Sequence, residues 1–333
     1  MGTTRIHRQR RRKDRRAFPL PVLAAIDLGT NNCRLLIATI DRRGRLDVID
    51  SFSRIVRLGE GLGQTGRLSD AAISRTIAAL KECAARVERS HAVKLRAIVT
   101  EAARQASNAD ELIVRARTEA GLALEIVTAE EEARFAAAGC APLIGHDYDG
   151  VLIFDIGGGS TELIWADGHG KSVRTLAFAS VPLGVVSMAE HTTASSFSAM
   201  REAAKAALAR VHDDFDRIGT FDLARHHLLG TSGTVTTLAG IALGLTRYER
   251  SKVDGSWHDC AEILRIVDHL ARLNPEARAQ IGCVGRDRAD LIVPGCAIFS
   301  AIHSLWPCER LRVADRGLRE GILRELAAES GKV

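Results

Sequence analysis

Aromatic residues are scarce in this 333-residue chain: three Trp, two Tyr and nine Phe, 4% of the total. No grouping of them offers a clear platform for stacking a nucleobase. Seven cysteines stand singly at 33, 83, 140, 260, 283, 296 and 308, an odd number with no CxxC pair. That disfavours a disulfide framework or a cysteine-based zinc site, and reduced thiols in a cytosol are expected. Long apolar runs are missing as well. Charges or glycines break each one well before the roughly 20 residues a bilayer crossing needs, so no membrane span is expected, and no apolar signal segment follows the basic start. The remaining composition, 46% hydrophobic and 26% charged, is that of a soluble globular protein with length enough for two domains.

The net charge of +5 belongs to one end. Residues 1–16, "MGTTRIHRQRRRKDRR", hold eight of the 46 Lys and Arg and one of the 41 Asp and Glu, so the body carries a net −2. With no apolar run to bury, this tail is expected to be disordered. It is either a solvated extension or, through residues 5–16, a contact arm for RNA or another polyanion.

Along the body, strands alternate with helices. Apolar runs at 22–28, 33–40 and 46–52 read as a three-stranded meander. A helix follows with Ser69 as N-cap and Ile73, Ile77, Leu80, Ala84 and Val87 on one face. Then come a strand at 95–100, a helix at 108–121, a strand at 122–127 and a helix at 129–139. The second half restarts the order: strands at 151–156, 161–166 and 173–181, a helix at 195–217, a strand at 226–230 and a helix at 234–244. Helices at 258–272 and 286–305, a strand at 310–314 and a closing helix complete it. Repetition of this pattern implies an α/β fold of two similar lobes, mixed sheets flanked by helices, with ligands at the carboxyl ends of the strands in the cleft between them.

The repeat is visible in the letters. "VLAAIDLGTNNCRLLIATIDRRG" (22–44) and "VLIFDIGGGSTELIWADG" (151–168) each run from an apolar strand through Asp-x-Gly and small polar residues into a second strand. A glycine-rich turn exposes backbone N–H groups and lets a phosphate approach unhindered. Gly157, Gly158 and Gly159 do this in the second copy; Gly29 with Thr30, Asn31 and Asn32 adds side-chain donors in the first. Asp27 and Asp155 end their strands facing the cleft. Two carboxylates beside a phosphate nest suit Mg²⁺, a hard cation that takes one or two protein carboxylates and keeps waters. The plainer alternative is that both aspartates only cap turns.

These residues carry a resemblance to the superfamily of actin-like ATPases, sugar kinases and 70-kDa chaperones, whose lobes are ribonuclease H-like. Within it the chain resembles the exopolyphosphatase/guanosine-pentaphosphate phosphatase family. The segments "AIDLGTNNCRLLIA", "VRLGEGLGQTGRLS", "TEAARQASNADEL", "TAEEEARFAAAG", "FDIGGGSTELI", "LGTSGTVTTLAG", "DRADLIVPGCAI" and "VADRGLREGIL" follow family order from residue 22 to about 324. The resemblance implies hydrolysis of a terminal phosphoryl group from a linear phosphoanhydride. It places the catalytic glutamate at Glu132, the second glutamate of "EEAR", where a carboxylate beside the phosphate cleft can activate water. Without the resemblance, Glu130 to Glu132 read as a solvated helix start.

The resemblance further implies a phosphate clamp at Arg104, for which a planar bidentate donor is suited. Ser160 and Glu162 continue the second loop, Glu162 within reach of the metal directly or through water. Ser232, Gly233 and Thr234 form a third loop, with helix amides offered to anion; for the serine and threonine an N-cap role is equally open. Thr-Asn-Asn-Cys replaces the Asn-Ser of many relatives, and Cys33 reads as a small buried residue. The body is of the short, two-domain type: residues 17–133 a first lobe, joined by a closing helix at 316–333, and 134–315 a second. Expected partners are inorganic polyphosphate or guanosine pentaphosphate, with scarce aromatics favouring the former; a homodimer is compatible with the sequence. The rival readings are an actin-like-fold kinase and an alarmone or nucleotide sensor with little turnover.

Overall fold

The computed structural model describes residues 20–330 apart from 42–43, 169–173, 192–195 and 223. The basic tail lies outside the described residues. The first sheet is built from β1 (Leu23–Leu28), β2 (Asn32–Ile40), β3 (Leu46–Ile55), β4 (Lys94–Val99) and β5 (Leu124–Ile126), in the order β3-β2-β1-β4-β5. The second holds β6 (Gly150–Ile156), β7 (Thr161–Asp167), β8 (Arg174–Val181), β9 (His226–Thr231), β10 (Trp257–Asp259) and β11 (Arg310–Val313), in the order β10-β11-β9-β6-β7-β8. In each, an antiparallel meander is followed by a crossover that returns parallel to the first strand, β4 beside β1 and β9 beside β6. The repeated hairpin of the sequence is thus a repeated lobe.

Strand periodicity explains where the two aspartates point. Along β1, Ala24, Ile26 and Leu28 pack on one face beneath helices α1 (Asp70–Arg89) and α3 (Ala109–Ala120). Leu23 and Ala25 lie on the other face, against α9 (Leu318–Ser330) and Phe135 of α4 (Ala129–Cys140). Asp27 continues the second row. Along β6, Leu152, Phe154 and Ile156 join the large core built by α5 (Phe197–Asp216), α6 (Gly233–Ala242), α7 (Cys260–Arg272) and α8 (Ile292–Leu305). Val151 and Ile153 face α4, and Asp155 continues that row. Successive side chains alternate faces, so both aspartates look into the space that α4 and α9 bridge.

Those two helices approach backbone to backbone. A Cβ on Gly321 would overlap the Phe135 carbonyl, and one on Gly139 would overlap the Gly317 carbonyl. α9 covers the first sheet, while Glu320 at its start binds Arg250 of the second half at 2.6 Å. The residues of α9 therefore touch both halves.

Several expected boundaries differ. The span read as one helix over 258–272 begins with β10, which pairs with β11, and α7 starts at Cys260 with Asp259 accepting from Ala261 N. The helix expected over 286–305 is a 3-10 turn at Arg286–Arg288 followed by α8 from Ile292. Pro294 sits in the first turn of α8, where its missing N–H forfeits no intrahelical bond. A short helix, α2 (Glu101–Gln105), interrupts the loop after β4; five residues are too few to leave a periodic signal. Among the described residues no helix is long and apolar enough to cross a membrane.

Candidate active site

The two Asp-x-Gly turns meet at a cavity of about 440 Å³ between the lobes. The first turn is tight: Gly29 N donates to Asn32 O at 2.9 Å, and Val56 N and Arg57 N both donate to Asn31 O. The second repeats the closure, Gly157 N to Ser160 O at 2.8 Å. The loops touch each other, since a Cβ on Gly158 would stand 2.9 Å from Thr30 Cβ and one on Gly159 3.0 Å from Thr30 Oγ1. A side chain at 158 would force the first loop to shift, and one at 159 would press on the Thr30 hydroxyl. The third loop precedes α6, whose N-cap Ser232 holds φ 102° and ψ 169°, a conformation costly for a side-chain-bearing residue. Ser232 Oγ and Asn31 Oδ1 are buried without a partner among the described residues, and both residues line the cavity.

Every residue expected at the site lines this cavity except Arg104: Asp27, Thr30, Asn31, Asn32, Glu132, Asp155, Gly157, Gly158, Gly159, Ser160, Glu162, Ser232, Gly233 and Thr234. Arg104 stands behind the wall, its Nη1 donating to Glu132 Oε2 at 2.8 Å and to Val127 O at 2.9 Å. Register within the "EEE" run is settled by capping. Glu131 closes a capping box with Thr128, accepting from its backbone N at 3.0 Å while Thr128 Oγ1 accepts from Glu131 N. This leaves Glu130 exposed and turns Glu132 inward.

The hairpins match in geometry and differ in charge. Cross-strand pairing sets Arg34 opposite Asp27, and Glu162 opposite Asp155. Burial raises Asp27 above its ordinary range, with the cations Arg34 and Arg319 opposing. Burial pushes Asp155 up to about 6 against the pull of Arg34 and with a push from Asp27. Glu162 rises to about 7 through burial and the charge of Asp155, and accepts from Ser180 Oγ at 2.9 Å. Burial and Glu162 also hold Glu132 well above the usual carboxylate range, with Arg104 opposing.

These strained carboxylates bear on the expected Mg²⁺. Among the described residues no group of three His, Cys, Asp or Glu could enclose an ion. Mg²⁺ does not demand one, since it binds through one or two carboxylates with waters and substrate phosphates completing its shell. A pair of buried, mutually repelling carboxylates at the mouth of a phosphate nest fits that ion. Cys33, by contrast, is fully buried and faces away from the cavity toward Cys83.

Residues 36–329 match the Ppx/GppA phosphatase family. The chain belongs to that family. Exopolyphosphatase 2 of Mycobacterium tuberculosis is 31% identical to it over 319 residues, which cover 92% of this chain and 98% of the relative. A guanosine-5'-triphosphate,3'-diphosphate pyrophosphatase of Photobacterium profundum is 30% identical over 318 residues, and the alignment spans 60% of that longer protein. Among solved structures, the Aquifex aeolicus Ppx/GppA family member overlays with a TM-score of 0.74 at 31% identity, covering 94% of this chain and 99% of that one. The two lobes are accordingly the actin-like pair of this family.

For this Ppx/GppA phosphatase the cavity also contains residues that sequence reading passed over. Arg34, Glu101, Tyr248, Arg288 and Arg319 all line it. Arg34 was within reach of inference, because a hairpin closed at Gly29–Asn32 puts it opposite Asp27. Tyr248 was not: it lies 93 positions beyond Asp155, and a hydrogen bond from its hydroxyl to Asp315 holds it at the wall.

Proposed function

We propose that the protein hydrolyses the terminal phosphoanhydride of inorganic polyphosphate, releasing orthophosphate. Glu132 carries this reading: it is a carboxylate of raised proton affinity at the cavity wall, held at one oxygen by Arg104. A general base works best when its proton affinity approaches the working pH. The three loops offer backbone and side-chain donors to the terminal phosphoryl oxygens. Glu132 takes a proton from water as the water oxygen attacks phosphorus in line. The bridging P–O bond breaks, and its electron pair leaves with the shortened chain. One or two of Asp27, Asp155 and Glu162 would hold Mg²⁺ directly and the rest through water, and the ion would supply neutralisation of charge on the phosphate oxygens.

A second reading, guanosine pentaphosphate as substrate, is supported by Tyr248 at the cavity wall with Arg288; the scarcity of aromatics along the chain weighs less once two of them, Phe52 and Tyr248, line the site. Phosphate release from short polyphosphate, long polyphosphate, guanosine pentaphosphate and ATP, each with and without Mg²⁺, decides between them. Turnover is expected on polyphosphate, only with Mg²⁺. Release from none of the four would remove the hydrolase reading.

A further inference from the structure

Arg104 has five N–H donors, and four are taken. Nε and Nη2 both donate to one oxygen of Glu101, Oε2, at 2.9 and 2.6 Å. Nη1 serves Glu132 and Val127 O. The second Glu101 oxygen is fixed by Gln105 Nε2 at 2.6 Å. Glu101, unlike Arg104, lines the cavity, and a Cβ on Gly159 would stand 3.2 Å from its Cγ, so it abuts the second phosphate loop. The Nε–Nη2 edge is a guanidinium edge that grips a phosphate or carboxylate with two parallel bonds. In this structure a carboxylate of the protein already sits on it, between the arginine and the site.

We propose that Glu101 is an intramolecular competitor for the substrate, a specificity-determining residue that occupies the Nε–Nη2 edge of Arg104 until a phosphoryl group displaces it. One arginine held between two carboxylates leaves surplus negative charge facing an incoming polyanion. The cleft therefore gains Arg104 as a ligand only when Glu101 gives way. The consequence is weak holding of phosphate groups that cannot displace it, the orthophosphate product included. This inference rests on the phosphoanhydride reading for its substrate class, and its test is kept separate from turnover.

The experiment measures tripolyphosphate binding by calorimetry for wild type, Glu101→Gln, Arg104→Gln and the double variant, with phosphate-release kinetics in parallel. The amide keeps the shape of Glu101 and loses its charge, and melting curves check that each variant folds. Glu101→Gln is expected to tighten tripolyphosphate about tenfold, the scale of one charge-assisted hydrogen bond, and to lower KM. The gain should vanish when Arg104 is Gln. An unchanged Kd with a reduced kcat would overturn the proposal, since Glu101 would then orient Arg104 for Glu132. Equal tightening in both backgrounds would overturn it too, as simple removal of charge. Coupled tightening in a protein that releases no phosphate would uphold Glu101 as competitor and reject the hydrolase reading instead. Failure of wild type to bind tripolyphosphate would reject both.

Discussion

Three consecutive glutamates occupy three environments, and a single backbone turn sorts them. Glu131 is spent on the capping box and held below the ordinary carboxylate range chiefly by the Thr128 backbone N–H. Glu130 is exposed, and Glu132 meets Arg104 inside the cleft. Glu132→Gln should therefore lower kcat by about 10²–10⁴, the usual worth of general-base help, while tripolyphosphate affinity holds or rises. Glu130→Gln should change kcat little. Glu131→Gln should chiefly loosen the helix start, at about 1 kcal/mol of stability for a weakened cap. Equal losses in all three variants would show that the inward-facing carboxylate is not the base. The "EEAR" letters indicated this glutamate through resemblance alone. What the letters hid was the use of Arg104, whose donors are allocated by Glu101, Val127 and Glu132, because the short helix that carries Glu101 and Arg104 leaves no periodic signature.

At the level of elements, the repeated hairpins were legible because both Asp-x-Gly turns sit at the end of an alternating strand, where parity fixes the face. The bridging role of α9 was less legible. "GLREGILRELAAE" shows a helix, but its contact with α4 depends on two glycines meeting a carbonyl of the opposite segment. Gly321 is the informative position. Gly321→Ala places a methyl against the Phe135 carbonyl, and the helices must part by a fraction of their spacing. Overpacking of this kind costs about 1–3 kcal/mol, read as a lower denaturant midpoint. Glu132 rides on α4, so kcat should fall with it. A variant of unchanged midpoint and kcat would mean that α4 and α9 do not meet at this glycine.

The whole molecule is two lobes closing acidic strand ends on one another, and this makes its stability depend on pH in an unusual sense. Asp155 titrates near 6 and Glu162 near 7 in the folded protein, against ordinary values of 3.8 and 4.5. The folded state holds these protons more tightly than the unfolded chain. Their contribution to stability is therefore fully present below about pH 4 and is lost as pH rises through 6 to 7. The two groups interact, so the loss should appear as one broad transition belonging to the pair. At the proposed site Mg²⁺ would bind the deprotonated pair and release its protons, so it should restore stability above pH 7 and matter little at pH 5. Melting temperatures taken from pH 5 to 8 are expected to fall in EDTA and to stay level with excess Mg²⁺, the gap widening with pH. Asp155→Asn with Glu162→Gln should flatten the EDTA curve and abolish the gap. If EDTA and Mg²⁺ curves run parallel across that range, or the double variant keeps the gap, the ion is held elsewhere than between these two strands.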